Sequence, residues 1–222
     1  MKIIKPYTEI LTNITGTELQ DIEKIARTCY KSEHLITEGS AEKFVKGLIQ
    51  RNHEAMLEHS VLSVRFVCDR GVSHEIVRHR LASFGQESTR YCNYSKDKFG
   101  GEITFIKPLF FEEGTPNYEL WRNACSVAEQ TYFKLIEAGA SPQEARSVLP
   151  NSLKTEIVMT ANYREWRHFF NLRAARATGP AHPQMEELTM PLVREVASKI
   201  PVIFDEYVEK INLIDKAKGF CI

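Results

Sequence analysis

Between residues 78 and 95 the chain reads RHRLASFGQESTRYCNYS, which sets Arg78, His79, Arg80 and Arg90 among the hydroxyls of Ser88, Tyr91 and Tyr94 with few core residues between them. Arginine suits phosphate because its planar fork makes two parallel, charge-assisted hydrogen bonds. Ser88 adds a hydroxyl, and backbone amides of the loop can complete a phosphate cradle. A helix over 73–81 would place Arg78 and Arg80 about 200° apart, two steps of roughly 100°, so that each grips a different anion. A strand would put both on one face and one anion. The same R-x-R also fits a solvated, salt-bridged helix end.

A second group lies further on. Arg164 and His168 stand at i and i+4, Asn171 continues their face, and Phe169, Phe170 and Leu172 point to the core. Arg173 closes that helix and Arg146 sits on the element before it; each taken alone also fits an ordinary surface arginine. His53, Glu54, Glu58 and His59 form H-E-x-x-x-E-H. On an α-helix that spacing sends the two histidines to opposed faces, unlike the i, i+4 pair of a zinc helix, so no metal site is expected. The chain has no P-loop, no G-x-G-x-x-G turn and no nucleophile elbow. Cys92 beside Tyr91 reads either as a reactive thiol or as a small half-buried residue.

These side chains need a scaffold, and 222 residues can supply one sizeable core, so a single domain over 1–222 is expected. Lys plus Arg number 29 and Asp plus Glu 29, which is not the field of a general nucleic-acid binder, so any anion site must be local. The cysteines 29, 68, 92, 125 and 221 are scattered and odd in number, which argues for a reducing, cytoplasmic setting. No apolar run suits a membrane helix, and MKIIKPYTEIL is too short and mixed for a signal peptide.

Residues 2–11 read as a strand and 17–30 as a helix with Leu19, Ile22, Ile25 and Ala26 inward. Ser40 is expected to cap a helix carrying Phe44, Val45, Leu48 and Ile49. SVLSVRFVCD alternates as a strand does, Gly71 breaks it, and a short helix capped at Ser73 leads into a polar loop. EITFIKP and LKTEIVMTAN read as strands. Residues 117–138 form a helix with Trp121, Ala124, Ala128, Thr131, Leu135 and Ala138 inward and Gly139 ending it. Ser141 with Glu144, and Asn162 with Glu165, are capping-box signatures, and Pro183 opens a last long helix kinked at Pro191. Strands interleaved with helices give a mixed α/β domain.

Arg78-His79-Arg80, seven residues, then Ser88 resembles the motif of the flavin-dependent thymidylate synthases. HEAMLEH (53–59), ARSVLP, NYREWRHFFNLR and AHPQMEE resemble further blocks of that family in the same order, together spanning roughly residues 53 to 186. The resemblance implies a homotetramer with shared active sites, built from a mixed α/β fold with long helices. It implies reductive methylation of dUMP to dTMP, with 5,10-methylenetetrahydrofolate as one-carbon donor and NADPH as reductant through tightly bound FAD. No nucleic-acid or membrane partner is implied.

Carried over by position, Arg78, His79 and Arg80 resemble the motif that straddles flavin and nucleotide. Glu75, Gln86, Glu87, Ser88, Arg90 and Arg146 resemble dUMP contacts, with Gln86 also at the cofactor. Asn162, Arg164 and His168 resemble flavin contacts, and His53 a catalytic histidine near flavin and folate. Arg173 resembles the catalytic arginine that favours ionisation of the pyrimidine. Ser88 is also a nucleophile candidate, but no neighbouring base is evident in the sequence, which favours binding. Ala55 and Met56 depart from the Ser or Thr followed by Pro of many members, and ATG at 177–179 resembles an insertion before His182. Two other readings stand beside this one: a nucleotide or single-stranded RNA binding module using Tyr91 and Tyr94, and a metal-dependent nucleotide phosphohydrolase on His53, Glu54, Glu58 and His59.

Overall fold

A computed structural model describes residues 1–96 and 100–219; Cys221, counted above, lies outside the described residues. The Cα positions group into two compact units, one of Met1–Thr8, Arg65–Arg78 and Phe84–Val158, the other of Glu9–Val64, His79–Ser83 and the chain from Met159 onward.

In the first unit, β1 (Lys2–Ile4) pairs in parallel with β5 (Thr104–Ile106). α3 (Arg70–Ile76), α4 (Pro116–Glu137) and α5 (Pro142–Ala145) complete it. Its core joins Ile103, Phe105, Cys125, Tyr132 and Leu153. The second unit holds α1 (Glu18–Arg27), α2 (Ser40–Gln50), α6 (Tyr163–Arg173), α7 (Pro183–Lys199) and α8 (Asp205–Gly219). Trp166, Phe169, Phe170 and Phe204 are fully buried there and meet edge-on or tilted, and the Trp166 indole donates to the Leu62 carbonyl. Burial of each such ring stabilises the fold by ~1.5–3 kcal/mol. A four-stranded sheet runs in the order β2-β3-β6-β4, with β2 at Tyr7–Ile10, β3 at Val61–Asp69, β6 at Lys154–Asn162 and β4 at Ala82–Gln86.

Several sequence expectations need correction. The strand expected over 2–11 is two strands in different sheets, because Pro6, which has no N–H to give a ladder, lies between them. Gly39, at φ +78°, precedes α2 instead of Ser40, whose hydroxyl is drawn to the buried Glu23 at 2.7 Å. α3 starts at Arg70, not at Ser73, since Asp69 accepts the Val72 N–H and caps it. Gly71 therefore lies within the first turn: a Cβ there would sit 2.9 Å from the Asp69 carboxylate. The supposed polar loop contains β4, an edge strand whose Ala-Ser-Phe-Gly-Gln sequence carries almost no β-branched signal. The buried residues of α4 are Tyr118, Cys125, Glu129 and Tyr132; Trp121 and Leu135 pack against the core as expected, whereas Ala124 and Ala138 are exposed, and the last segment is two helices interrupted after Lys199. The Ser141–Glu144 capping box and the end of α4 before Gly139, at φ +93°, match expectation.

Candidate functional site

Arg78 and Arg80 fall after α3 has ended at Ile76, in the turn that leads to β4, so the 200° helical geometry does not apply to them. Both are exposed, whereas His79 between them is buried at 4% and packs its ring 4.7 Å from Phe169, with His168 at 6.0 Å.

In the first unit the structure places Glu75, Arg78, Gln86, Glu87, Ser88, Arg90 and Arg146. The Gln86 amide nitrogen donates to Ser73 Oγ at 2.9 Å and Thr155 Oγ1 at 3.2 Å. Glu87 instead takes Tyr94 Oη and Lys154 Nζ, each at 3.1 Å. Burial alone would lower the Lys154 pKa, but the hydrogen bond to Glu156 and the charge of Glu87 carry it above the usual lysine value. Burial also pushes the Tyr94 phenol up, with Glu87 adding to it. These groups border a cleft of about 450 Å³, which Glu102, Glu156 and Arg65 also line. With carboxylates outnumbering cations, that cleft does not suit a phosphate.

Past Glu87 the chain turns. Ser88 accepts the Arg90 N–H on Oγ at 3.3 Å and the Cys92 N–H on its carbonyl at 2.9 Å. Among the described residues no imidazole or carboxylate hydrogen-bonds Ser88, so nothing there would activate it as a nucleophile. The capped α5 leads into a single 3-10 turn that carries Arg146, whose Nη1 donates to Thr89 Oγ1 at 3.1 Å. Arg90 donates from Nε to Gln143 Oε1 at 3.2 Å, and its guanidinium lies 5.2 Å from the Tyr91 ring. The partners of Arg90 and Arg146 are thus neutral.

The second unit holds His53, His79, Arg80, Asn162, Arg164, His168 and Arg173. His53 precedes a 3-10 segment, Glu54–His59, so the α-helical spacing used for the two histidines does not hold. Its carboxylates are committed: Glu58 pairs with Arg164 at 2.6 Å and Glu54 with the buried Arg167 at 3.0 Å. They are not set out as ligands for a cation, and no group of three metal-binding side chains occurs among the described residues. His53 and Arg164 come together on a cleft of about 620 Å³ that Tyr30, Phe44, Arg51 and Met56 also line. Asn162 spends its Oδ1 on the N–H of Glu165, capping α6 at 2.9 Å. Arg173 ends that helix, where its carbonyl accepts Thr189 Oγ1 at 2.7 Å.

The arginines divide by whether they meet a carboxylate, and the division cuts across the assigned site. Arg27, Arg65, Arg122, Arg164, Arg167, Arg176 and Arg194 each pair with a carboxylate. Among the described residues, Arg78, Arg80, Arg90 and Arg146 have no such partner. Arg51 and Arg70, which carry no assigned role, show no carboxylate partner among the described residues either. Arg164 is assigned and yet paired. Sequence reasoning passed over Ser73 and Thr155. The signal for Thr155 was legible: it is a polar residue in the buried phase of β6, in step with Ile157 and Met159.

Residues 10–202 match the family described as Thymidylate synthase complementing protein. The chain is 31% identical to the flavin-dependent thymidylate synthase of Pyrococcus furiosus over 196 residues, covering 85% of this chain and 78% of that one. Against the enzyme of the same name from Corynebacterium aurimucosum it is 32% identical over 205 residues, with 84% and 78% covered. Its fold is also that of the UMP/dUMP methylase PolB from Streptomyces cacaoi bound with 5-Br dUMP, at TM-score 0.76 and 23% identity over 94% of this chain and 97% of that one. A family match across most of the sequence and relatives above 30% identity lead to one conclusion: the chain belongs to the flavin-dependent thymidylate synthase family.

Proposed function

We propose that the protein converts dUMP to dTMP by reductive methylation, with 5,10-methylenetetrahydrofolate as one-carbon donor and NADPH as reductant through tightly bound FAD. The observation that carries this reading to the residue level is the set of guanidiniums, Arg78, Arg80, Arg90 and Arg146, left without carboxylates among the described residues. A cation held without an internal counter-charge is suited to an external anion, and a nucleotide phosphate and a flavin pyrophosphate both bring one.

Arg90 and Arg146, with the turn at Ser88, take the nucleotide phosphate, and Glu75, Gln86 and Glu87 stand around the sugar and base. Arg78 serves both ligands. The donor set fits FAD: Arg80 offers an unneutralised fork, while His53 and Arg164 line one cleft and His79, Gln86, Asn162 and His168 complete the assigned cofactor residues. When bound, FAD supplies the hydride that completes the methyl group. Arg173 holds a fixed positive charge against the pyrimidine and stabilises negative charge that develops at N3. Ser88 binds without acting as nucleophile.

The chain acts as a single domain over residues 1–222 within a homotetramer whose active sites are shared, in the cytoplasm. Supporting that compartment, Cys29, Cys68, Cys92 and Cys125 are free thiols. Among the described residues no helix is long and apolar enough to cross a membrane. The test is tritium release from dUMP labelled at carbon 5, run on yellow, FAD-loaded protein with and without NADPH and methylenetetrahydrofolate. Release that depends on the protein and on its flavin supports the reading, and no release under any condition overturns it. Light scattering should give the mass of four 25.5 kDa chains.

A further inference from the structure

We infer that Ser73 and Thr155 lock the Gln86 side chain as a hydrogen-bond acceptor, so that Gln86 Oε1 reads one N–H or O–H of the bound nucleotide. The inference rests on the proposed nucleotide site and adds to it two positioning residues and a defined polarity. An amide side chain can be turned either way, and its orientation follows from the network around it. Ser73 Oγ has one hydrogen, and it donates that hydrogen to the Arg70 carbonyl at 2.9 Å. Toward Gln86 it can therefore only accept, and the group facing it at 2.9 Å must be the NH₂. The second N–H goes to Thr155 Oγ1 at 3.2 Å.

Both amide hydrogens are thereby spent inward, against side chains that are 0% and 1% exposed. Gln86 itself is half-buried at the end of β4, and among the described residues Oε1 carries no hydrogen bond. The free end is an acceptor. On dUMP, which lacks a 2′-hydroxyl, the available donors are the ring N3–H and the 3′-hydroxyl of the sugar. Glutamate at this position would set a carboxylate oxygen against Ser73 Oγ, whose hydrogen is already in use, so the serine selects the amide.

A double-mutant cycle on FAD-loaded protein tests this, with dUMP binding read by titration calorimetry. Ser73→Ala should weaken dUMP about tenfold, the scale of one neutral hydrogen bond, and Gln86→Ala about as much. In the Gln86→Ala background, Ser73→Ala should then cost nothing further, because a positioning residue has no effect once the group it positions is gone. An equal cost in both backgrounds would mark Ser73 as merely structural and overturn the inference. Should Ser73→Ala fail to fold, the near-isosteric Thr155→Val takes its place in the cycle, and the same two outcomes decide. N3-methyl-dUMP and 2′,3′-dideoxyuridine monophosphate identify the donor. The analogue that has lost sensitivity to Gln86→Ala names it, and full sensitivity in both overturns the inference. Failure of the parent protein to bind dUMP at all would instead sink the nucleotide reading beneath it.

Discussion

At Arg173 the backbone holds the fold while the side chain is the one proposed to face the pyrimidine. The carbonyl accepts Thr189 Oγ1 and ties the end of α6 to α7, and alanine would preserve that bond. Arg173→Ala should accordingly fold and retain flavin while turnover falls about a hundredfold or more, the scale of losing a preorganised charge in a water-poor site; near-normal turnover would refute the assignment. Ser88 divides its roles differently. Its carbonyl holds the turn through Cys92, and its hydroxyl has no base beside it among the described residues. Ser88→Ala is expected to weaken dUMP binding about tenfold, one hydrogen bond's worth, yet still turn over at saturating nucleotide. Inactivity at saturation would revive the nucleophile. Glu165 offers a pH test: at 6% exposure, burial raises its carboxyl pKa, against the opposing pull of His168. The folded chain then holds that proton above the ordinary value of 4.5, so stability falls as pH rises from there through the elevated folded value. Glu165→Gln should raise the urea midpoint relative to the parent at pH 8 and leave it unchanged at pH 4.

The elements show where sequence periodicity succeeds and where it stops. β3 was readable because the fully buried Leu62, Val64 and Phe66 alternate with Ser63 and Arg65, and β6 because its buried Ile157 and Met159 lie in a run rich in β-branched residues, Thr155, Ile157, Val158 and Thr160. β4 was not, since an edge strand of Ala, Ser, Phe, Gly and Gln owes its form to pairing and not to propensity. The start of α3 was missed for a different reason. Asp69 closes the buried end of β3 and also caps the helix that begins one residue later, so strand and cap signals fall on one residue. Asp69→Ala should cost ~1 kcal/mol or more through the lost cap, and Gly71→Ala should destabilise as well, because its Cβ would lie 2.9 Å from the Asp69 carboxylate. Combining the two should cost less than their sum, as expected for neighbours sharing one contact. Thermal unfolding of the three variants would show it, and strict additivity would count against the shared contact. The residues of the site were legible as types because guanidiniums, histidines and hydroxyls are rare among core positions. Their pairing was not legible, since which arginines meet a carboxylate is decided by contacts such as Arg164 with Glu58, 106 positions apart.

Over the whole molecule, 29 basic side chains balance 29 acidic ones, and the potential that captures an anion must come from where the two signs fail to meet. Seven arginines meet a carboxylate and do little at a distance, whereas among the described residues Arg78, Arg80, Arg90 and Arg146 meet none, and these are the ones proposed to take the ligand. An anion site built on these exposed guanidiniums is screened by salt once the Debye length shrinks from about 14 Å to about 4 Å, between roughly 0.05 and 0.5 M. The dissociation constant of dUMP should therefore rise about tenfold over that range. Arg90→Gln or Arg146→Gln should weaken binding at low salt and flatten the dependence, because each removes one of the charges being screened. Single-stranded RNA, which would need many uncompensated contacts along its backbone, should bind with no more affinity than the nucleotide itself. A steep salt slope that survives both substitutions would place the anion elsewhere on the protein.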